Sequence, residues 1–190
     1  MVGSQIIGKS FHFPNLKLVN VIDGDSSLFS PDFRAMEKTY QLLQQVAGRS
    51  GREGERGKVF IQTYNPQHPI FQSIKNQNRN EVIQMELSRR EQNKLPPFTK
   101  IAQLQFIHPK SPELREICME ILSISKKHQL SILGPTPSLI PYKKNHYHEN
   151  FYFKEESYTS LRRKIELLKS QMTPKNIRFL HIDIDPLSIA

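Results

Sequence analysis

In Gln44-Gln45-Val46-Ala47-Gly48-Arg49-Ser50-Gly51-Arg52 two arginines stand three residues apart among glycines, behind a pair of glutamines. A guanidinium stays charged, and its planar fork grips phosphate oxygens through two donors at once. Supplied from outside a phosphate loop, such a group stabilises the charge that develops during phosphoryl transfer. A basic, glycine-rich turn after a helix is the bland alternative, and for so short a motif the two stand about level. What surrounds the motif has to decide.

A second constellation lies about 40 residues upstream, at Gly3-Ser4-Gln5-Ile6-Ile7-Gly8-Lys9-Ser10. Leaving a strand, it would present backbone N–H groups, a hydroxyl and a lysine to phosphates. Small residues are common in strand-to-helix loops, so its weight comes from the arginine motif that follows on the same unit. Other candidates are weaker. His146-x-His148 has a metal-ligand look but no third ligand, and a solvated or DNA-facing loop is the favoured reading. Asp23-Gly24-Asp25 suggests Mg²⁺ less than it suggests an ordered loop at a sheet edge. Asp183 and Asp185 share one face of a terminal strand and read as a structural end. Lys143-Lys144 and Arg162-Arg163-Lys164 are plausible phosphate contacts, set against solvated surface.

The elements that must position these residues follow from periodicity and punctuation. Residues 17–22 and 58–63 read as strands, and Ser30-Pro31-Asp32 reads as a helix start leading to about Ala47. Strand, helix and strand at this spacing make a right-handed parallel βαβ unit. Residues 67–93 form an amphipathic pair of helices broken near Asn78-Arg79-Asn80 and ended by Leu95-Pro96-Pro97-Phe98. Beyond that boundary come a strand over 101–107, a helix from Ser111-Pro112 to about Lys127 and a short strand over 130–133. A proline-rich loop to Pro141, a strand at 151–153, a helix striped by Tyr158, Leu161, Ile165, Leu168 and Met172, and a strand over 177–184 complete the chain. The order is βαββαβ, the split-βαβ or ferredoxin-like plan, over about 90 residues, enough for an independent domain.

Composition narrows the partners. The 190 residues carry 27 Lys+Arg against 18 Asp+Glu, a net charge of +9, which favours an anionic partner such as nucleic acid. That excess is spread thinly: residues 1–66 carry eight basic and six acidic side chains, and residues 143–190 carry nine and six. One cysteine, Cys118, excludes an intramolecular disulfide and a cysteine-rich zinc site. It lies on an apolar helical stripe with Leu114, Ile117, Ile121 and Leu122, where packing is the expected role. No stretch reaches the ~18 apolar residues of a membrane span, and no signal segment opens the chain. A cytoplasmic location is expected.

The run Pro31-Asp32-Phe33-Arg34-Ala35, Glu37, Gln41-Leu42-Leu43, Gln45-Val46-Ala47-Gly48-Arg49 resembles the PriA family of primosomal replication helicases, in helicase superfamily 2. Gln62-Thr63-Tyr64, Pro66, His68-Pro69, Leu95-Pro96-Pro97-Phe98, Leu133-Gly134-Pro135-Thr136-Pro137 and Asp183-Ile184-Asp185-Pro186-Leu187 continue it collinearly over all 190 residues. The resemblance implies the back half of a second RecA-like lobe over 1–66 with helicase motifs V and VI. It implies a helical connector over 67–97 and a C-terminal domain over 98–190. It assigns Arg52 as an arginine finger, Arg49 as a second γ-phosphate contact and Gln45 as a polar contact in that cleft, with Gly48, Gly51 and Gly3 at the nucleotide. Ser4, Gln5 and Lys9 would couple nucleotide to DNA; Lys143 and Lys144 are candidate DNA contacts on their residue type and not through the resemblance.

Ser4 stands where the family has Thr, and Ser10 where it has Gly. The family's Gly, Arg-Tyr-Arg and Trp loop is here Asn145, His146-Tyr147-His148 and Glu149, which softens three DNA-facing features. No G-x-x-x-x-G-K-[ST] occurs, since Gly51 to Gly57-Lys58 has one residue too many and Val59 follows. The Asp-Glu-x-His box and the family's paired zinc cysteines are missing too. The ATP and Mg²⁺ site is thus incomplete, and no metal site is expected. The implied whole is the C-terminal quarter or so of an ATP-dependent 3′→5′ DNA helicase for replication restart. Its partners would be forked or single-stranded DNA, the N-terminal part of the helicase, other primosome proteins and single-stranded DNA-binding protein. The alternative is a non-catalytic nucleic-acid or protein-interaction module with a vestigial motor segment.

Overall fold

The computed structural model describes residues 17–30, 32–48 and 58–186, and the chain separates between Arg89 and Arg90 into two units. The first holds β1 (Leu18–Val21), α1 (Ala35–Ala47), β2 (Lys58–Ile61), α2 (Pro69–Asn76) and most of α3 (Arg79–Gln92). β1 and β2 pair in parallel, Leu18 opposite Lys58 and Val21 opposite Ile61. Their inward side chains meet Tyr40 and Leu43 of α1, Ile70 and Phe71 of α2 and Val82 of α3. Arg89 braces this cluster: its guanidinium forks onto Glu86, itself buried, and donates to the Phe33 carbonyl.

The start of α1 differs from expectation. Ser30 and Asp32 form a preceding turn, in which the Asp32 carboxylate accepts from the Arg34 amide at 2.9 Å and its carbonyl from the Ala35 amide at 2.9 Å. The helix begins only at Ala35. Aspartate competes for nearby backbone donors, and here that competition is resolved in favour of a turn. Asp23-Gly24-Asp25 ties together the ends of both strands. Asp25 accepts from the Thr63 hydroxyl at 2.7 Å and the Tyr64 amide at 2.8 Å, and the Gly24 amide donates to the Gln62 carbonyl. A Cβ on Gly24 would lie 2.8 Å from the Ile61 side chain. This loop organises backbone.

The outer face of the two strands mixes Asn20 and Lys58 with exposed apolar side chains, Leu18, Ile22 and Phe60 at 50%, 70% and 60% exposure, and no described element packs over it. Parallel strands are ordinarily covered on both faces. The expected result is that amides of 58–61 exchange with solvent well before those of 101–107; equal protection of the two strands would contradict this.

The second unit is mixed α+β: β3 (Lys100–His108), α4 (Ser111–His128), β4 (Ile132–Lys143), β5 (His146–Glu155), α5 (Tyr158–Gln171), a helical turn α6 (Pro174–Ile177) and β6 (Leu180–Ile184). The sheet order is β4-β5-β3-β6, antiparallel throughout. Each βαβ connection therefore brackets a strand of the other, the split-βαβ arrangement. Ala102, Leu104 and Phe106 of β3 and Phe151 and Phe153 of β5 face Leu114, Ile117 and Ile121 of α4 and Leu161, Ile165 and Leu168 of α5.

Two elements depart from the sequence reading. The proline-rich stretch is the distal part of β4, a twelve-residue strand with register shifts between Leu133 and Thr136 and between Pro137 and Tyr142. Prolines are tolerated there because β4 is an edge strand and bulges absorb the missing donors. The terminal strand begins three residues late because Pro174 opens α6 instead. At the first bulge Gly134 takes φ +123°, and an added Cβ would sit 2.7 Å from the Asn150 carbonyl oxygen and 2.9 Å from the Phe151 ring. Gly134→Ala is expected to lower stability by about 2–3 kcal/mol, from a disallowed backbone and a steric push on β5. A melting temperature unchanged by the substitution would exclude that account.

Candidate nucleic-acid interface

The tip of the β4–β5 hairpin sets two lysines and two tyrosines close together in the chain. Lys144 and Asn145 form its turn with φ of 51° and 61°, the two left-handed residues of a tight I′ hairpin. Asparagine adopts that conformation readily, and the Tyr142 hydroxyl reaches its side-chain oxygen at 3.4 Å. Lys143 pairs with His146, and Tyr142 with Tyr147, across the strands. The tyrosine rings lie 4.8 Å apart at 49° and keep 52% and 36% exposure. The imidazole of His146 bonds the Lys144 carbonyl through Nδ1 at 2.8 Å.

Lys143 and Lys144 are exposed, and neither enters an ion pair among the described residues. Two exposed lysines at the turn and two partly exposed tyrosine rings on the strands behind it are side chains of the types that can hold a single-stranded polyanion, ammonium to phosphate and ring to base.

A polar ladder holds this tip in place. Asn150, fully buried, accepts from Gln103 at 3.1 Å and Gln105 at 3.2 Å, and donates to the Ser138 hydroxyl at 3.0 Å. Thr136 donates to its carbonyl at 3.3 Å. The ladder stitches β4 to β5 across both bulges, so the distal hairpin keeps one register. His148 follows on this face opposite Ile107, its Nε2 buried without a partner. On the helix-covered face, burial raises the pKa of Glu149. Burial first, and Glu149 second, pushes the Cys118 thiol up to about 11, so this buried cysteine is an inert packing residue.

The other candidates separate. Arg162 is paired with Glu166 at 2.8 Å, and Lys164 with Glu155, so two members of that basic run already have carboxylate partners. Asp185 accepts from the Ile101 amide at 3.1 Å and the Tyr158 hydroxyl at 2.6 Å, and so closes the strand end. In the first unit Gln45 and Gly48 are exposed at the C-terminal end of α1, where the Gly48 amide donates to the Gln44 carbonyl at 2.9 Å. Gly3, Ser4, Gln5, Lys9, Arg49, Gly51 and Arg52 lie outside the described residues. Sequence reasoning missed Tyr142 and the Asn150 ladder. The available signals were Tyr142 and Tyr147 flanking a Lys-Asn turn symmetrically, and Gln103 and Gln105 at strand period.

Among the described residues no group of three or more His, Cys, Asp or Glu converges as a metal site, and no helix is long and apolar enough to cross a membrane.

The profile of the primosomal protein N C-terminal domain matches residues 91–187. The replication restart protein PriA of Rickettsia conorii is 35% identical over 188 residues, covering 99% of this chain and 29% of that protein. Those of Synechocystis sp. and Bacillus subtilis are each 34% identical, covering 100% and 98% of this chain and 23% and 24% of their own length. The chain thus spans between about a quarter and three tenths of the relatives it matches. Among solved structures, the de novo designed protein Foldit4 aligns at 9% identity with a TM-score of 0.36, over 45% of this chain and 92% of its own.

Proposed function

The chain belongs to the primosomal protein N (PriA) family, matching its C-terminal domain, and from that membership we propose that it acts in the restart of DNA replication. In this reading residues 1–66 are the closing part of a RecA-like motor lobe, 67–97 a connector and 98–190 the domain that meets DNA and protein partners. Similarity to replication restart proteins across 98–100% of the chain carries the proposal. It includes the stretch from Gln44 to Arg52, so the match is not confined to the second unit.

Arg52 and Arg49 would neutralise the γ-phosphate of ATP, with Gln45, Gly48, Gly51 and Gly3 lining the nucleotide. ATP with Mg²⁺ would need the phosphate loop and metal-holding acid of the remaining helicase part. Ser4, Gln5 and Lys9 would face the DNA backbone. Forked or single-stranded DNA, other primosome proteins and single-stranded DNA-binding protein are the partners this role implies, in the cytoplasm.

A second reading makes the βαββαβ unit a binding module in its own right, with a vestigial motor segment, and the exposed Tyr142–Tyr147 pair flanking two turn lysines favours it. In either reading the hairpin is the part of this unit whose hold on nucleic acid can be tested directly. In fluorescence polarisation with forked and single-stranded DNA, replacing Tyr147 by Ala is expected to weaken binding by roughly 1–3 kcal/mol, the worth of one stacked base. Replacing Lys143 and Lys144 together should weaken it uniformly across sequences and reduce the salt slope by about two. Binding and salt slope unchanged in all three positions would remove the hairpin from the interface. Motor dependence is settled separately, by ATP turnover.

A further inference from the structure

The two edges of the four-stranded sheet differ in kind. β4 carries Pro135, Pro137 and Pro141 and two bulges, devices that blunt an edge against further pairing. β6, at the other edge, reads Leu180-His181-Ile182-Asp183-Ile184 and has neither proline nor lysine. Its partner on one side is β3. Asp185 donates to the Ile101 carbonyl at 2.7 Å and Ile107 to the Phe179 carbonyl at 3.1 Å. Antiparallel ladders alternate, so with the register Gln103 opposite Asp183 and Gln105 opposite His181, the odd-numbered residues bond β3. The N–H and C=O groups of Leu180, Ile182 and Ile184 therefore point away from the sheet. Leu180 packs on the core, while Ile182 and Ile184 remain 37% and 44% exposed. The bonds from Ile101 and Tyr158 to Asp185 hold the strand's far end, and among the described residues no strand pairs with its outer edge.

We propose that β6 is a dimerisation strand, pairing antiparallel with β6 of a second copy about a two-fold axis at Ile182. That register satisfies three conditions at once. The outward backbone groups of Ile182 meet those of its own copy, and those of Leu180 meet those of the partner's Ile184. The apolar side chains, Ile182 on Ile182 and Leu180 on Ile184, fall on one face. On the other face His181 stands directly opposite Asp183 of the second copy, twice by symmetry, a cross-strand pair of the stabilising kind. Centring the axis on Ile184 would set Asp183 against Asp185, and centring it on Leu180 would set His181 against Phe179. The side-chain pattern, an imidazole opposite a carboxylate, thus selects this partner and this register. Five residues per copy bury less than the ~1,200 Å² of a standard stable interface, so the dimer is weak and depends on concentration.

Sedimentation equilibrium on the full chain, joined to amide exchange at low and high protein concentration, tests this. The expected result is a concentration-dependent dimer in which the amides of Ile182 and Ile184 slow as the dimer forms. Ile182→Lys should abolish both effects. His181→Asp, which sets like charges opposite, should weaken the dimer roughly two- to thirtyfold. The double exchange His181→Asp with Asp183→His keeps each pair and should restore it, which also guards against a variant that merely misfolds. A monomer whose Ile182 amide exchanges alike at all concentrations overturns the proposal. So does a dimer indifferent to Ile182→Lys, or a double exchange no tighter than His181→Asp. Protection of these amides only by a strand of another protein would also overturn self-pairing.

Discussion

Phe151→Ala should destabilise the second unit by about 3–5 kcal/mol, close to the limit of what a domain of this size tolerates. Phe151 is fully buried at the centre of the sheet, opposite Leu104 on β3. Its ring stands edge-on to Phe106, with centroids 5.8 Å apart and planes at 88°. Truncation leaves a cavity lined by α4, α5 and β3, and it removes an aromatic pair worth about 0.5–1.5 kcal/mol on its own. The Gly134 bulge presses on the same residue, since its missing Cβ would lie 3.1 Å from the Phe151 Cα. Neither β4 nor β5 can move in to fill the gap without breaking the Asn150 ladder. At about 4–8 °C per kcal/mol for a unit of ~100 residues, thermal unfolding should begin at least ~12 °C earlier. Phe60→Ala, at a position 60% exposed, should stay within about 0.5 kcal/mol. Similar losses for the two would mean that burial, the basis of the comparison, is misjudged.

How much of this was legible in the sequence depended on whether a signal was local. β3 announced itself because Ile101, Gln103, Gln105 and Ile107 alternate with Ala102, Leu104 and Phe106. α4 was marked by Pro112 near its start and a stripe through Leu114, Ile117, Cys118 and Ile121, and it runs Ser111–His128. β4 was hidden because prolines argue against a strand unless the strand is known to be at an edge, and edge position is a property of the whole sheet. The hairpin was hidden because Lys144 adopts a left-handed conformation that lysine rarely takes. The helix start at Ser30-Pro31-Asp32 failed for a local reason, since an Asx-type turn and an N-cap use the same residues. Tyr142 and Tyr147 were five apart in a stretch divided between loop and strand, so their pairing could not be seen until the register placed them face to face.

Joined, covalently or in trans, to an upstream motor segment that carries a phosphate loop and an acidic box, the chain should support DNA-stimulated ATP hydrolysis. Arg52→Ala should then reduce turnover by roughly 10³–10⁵-fold, the range for an arginine supplied to a transferring phosphoryl group. The effect should fall on kcat more than on KM, because charge on the γ-phosphoryl oxygens grows in the transition state and a group aimed at that charge does little for the ground state. Arg52→Lys should recover only part of the loss, since an ammonium cannot reproduce the two-donor fork. Arg49→Ala should lose less than Arg52→Ala if its role is the second contact. DNA binding through Tyr147, Lys143 and Lys144 should survive every one of these changes, because the hairpin belongs to the second unit. The chain alone should show no DNA-stimulated turnover, as neither a phosphate-loop lysine nor a metal-holding acid is present in its sequence. Two outcomes would defeat the motor reading. One is turnover in the joined protein that stays within tenfold when Arg52 is removed. The other is hydrolysis by the isolated chain that vanishes with Arg52, since the nucleotide site would then have to be complete within these 190 residues.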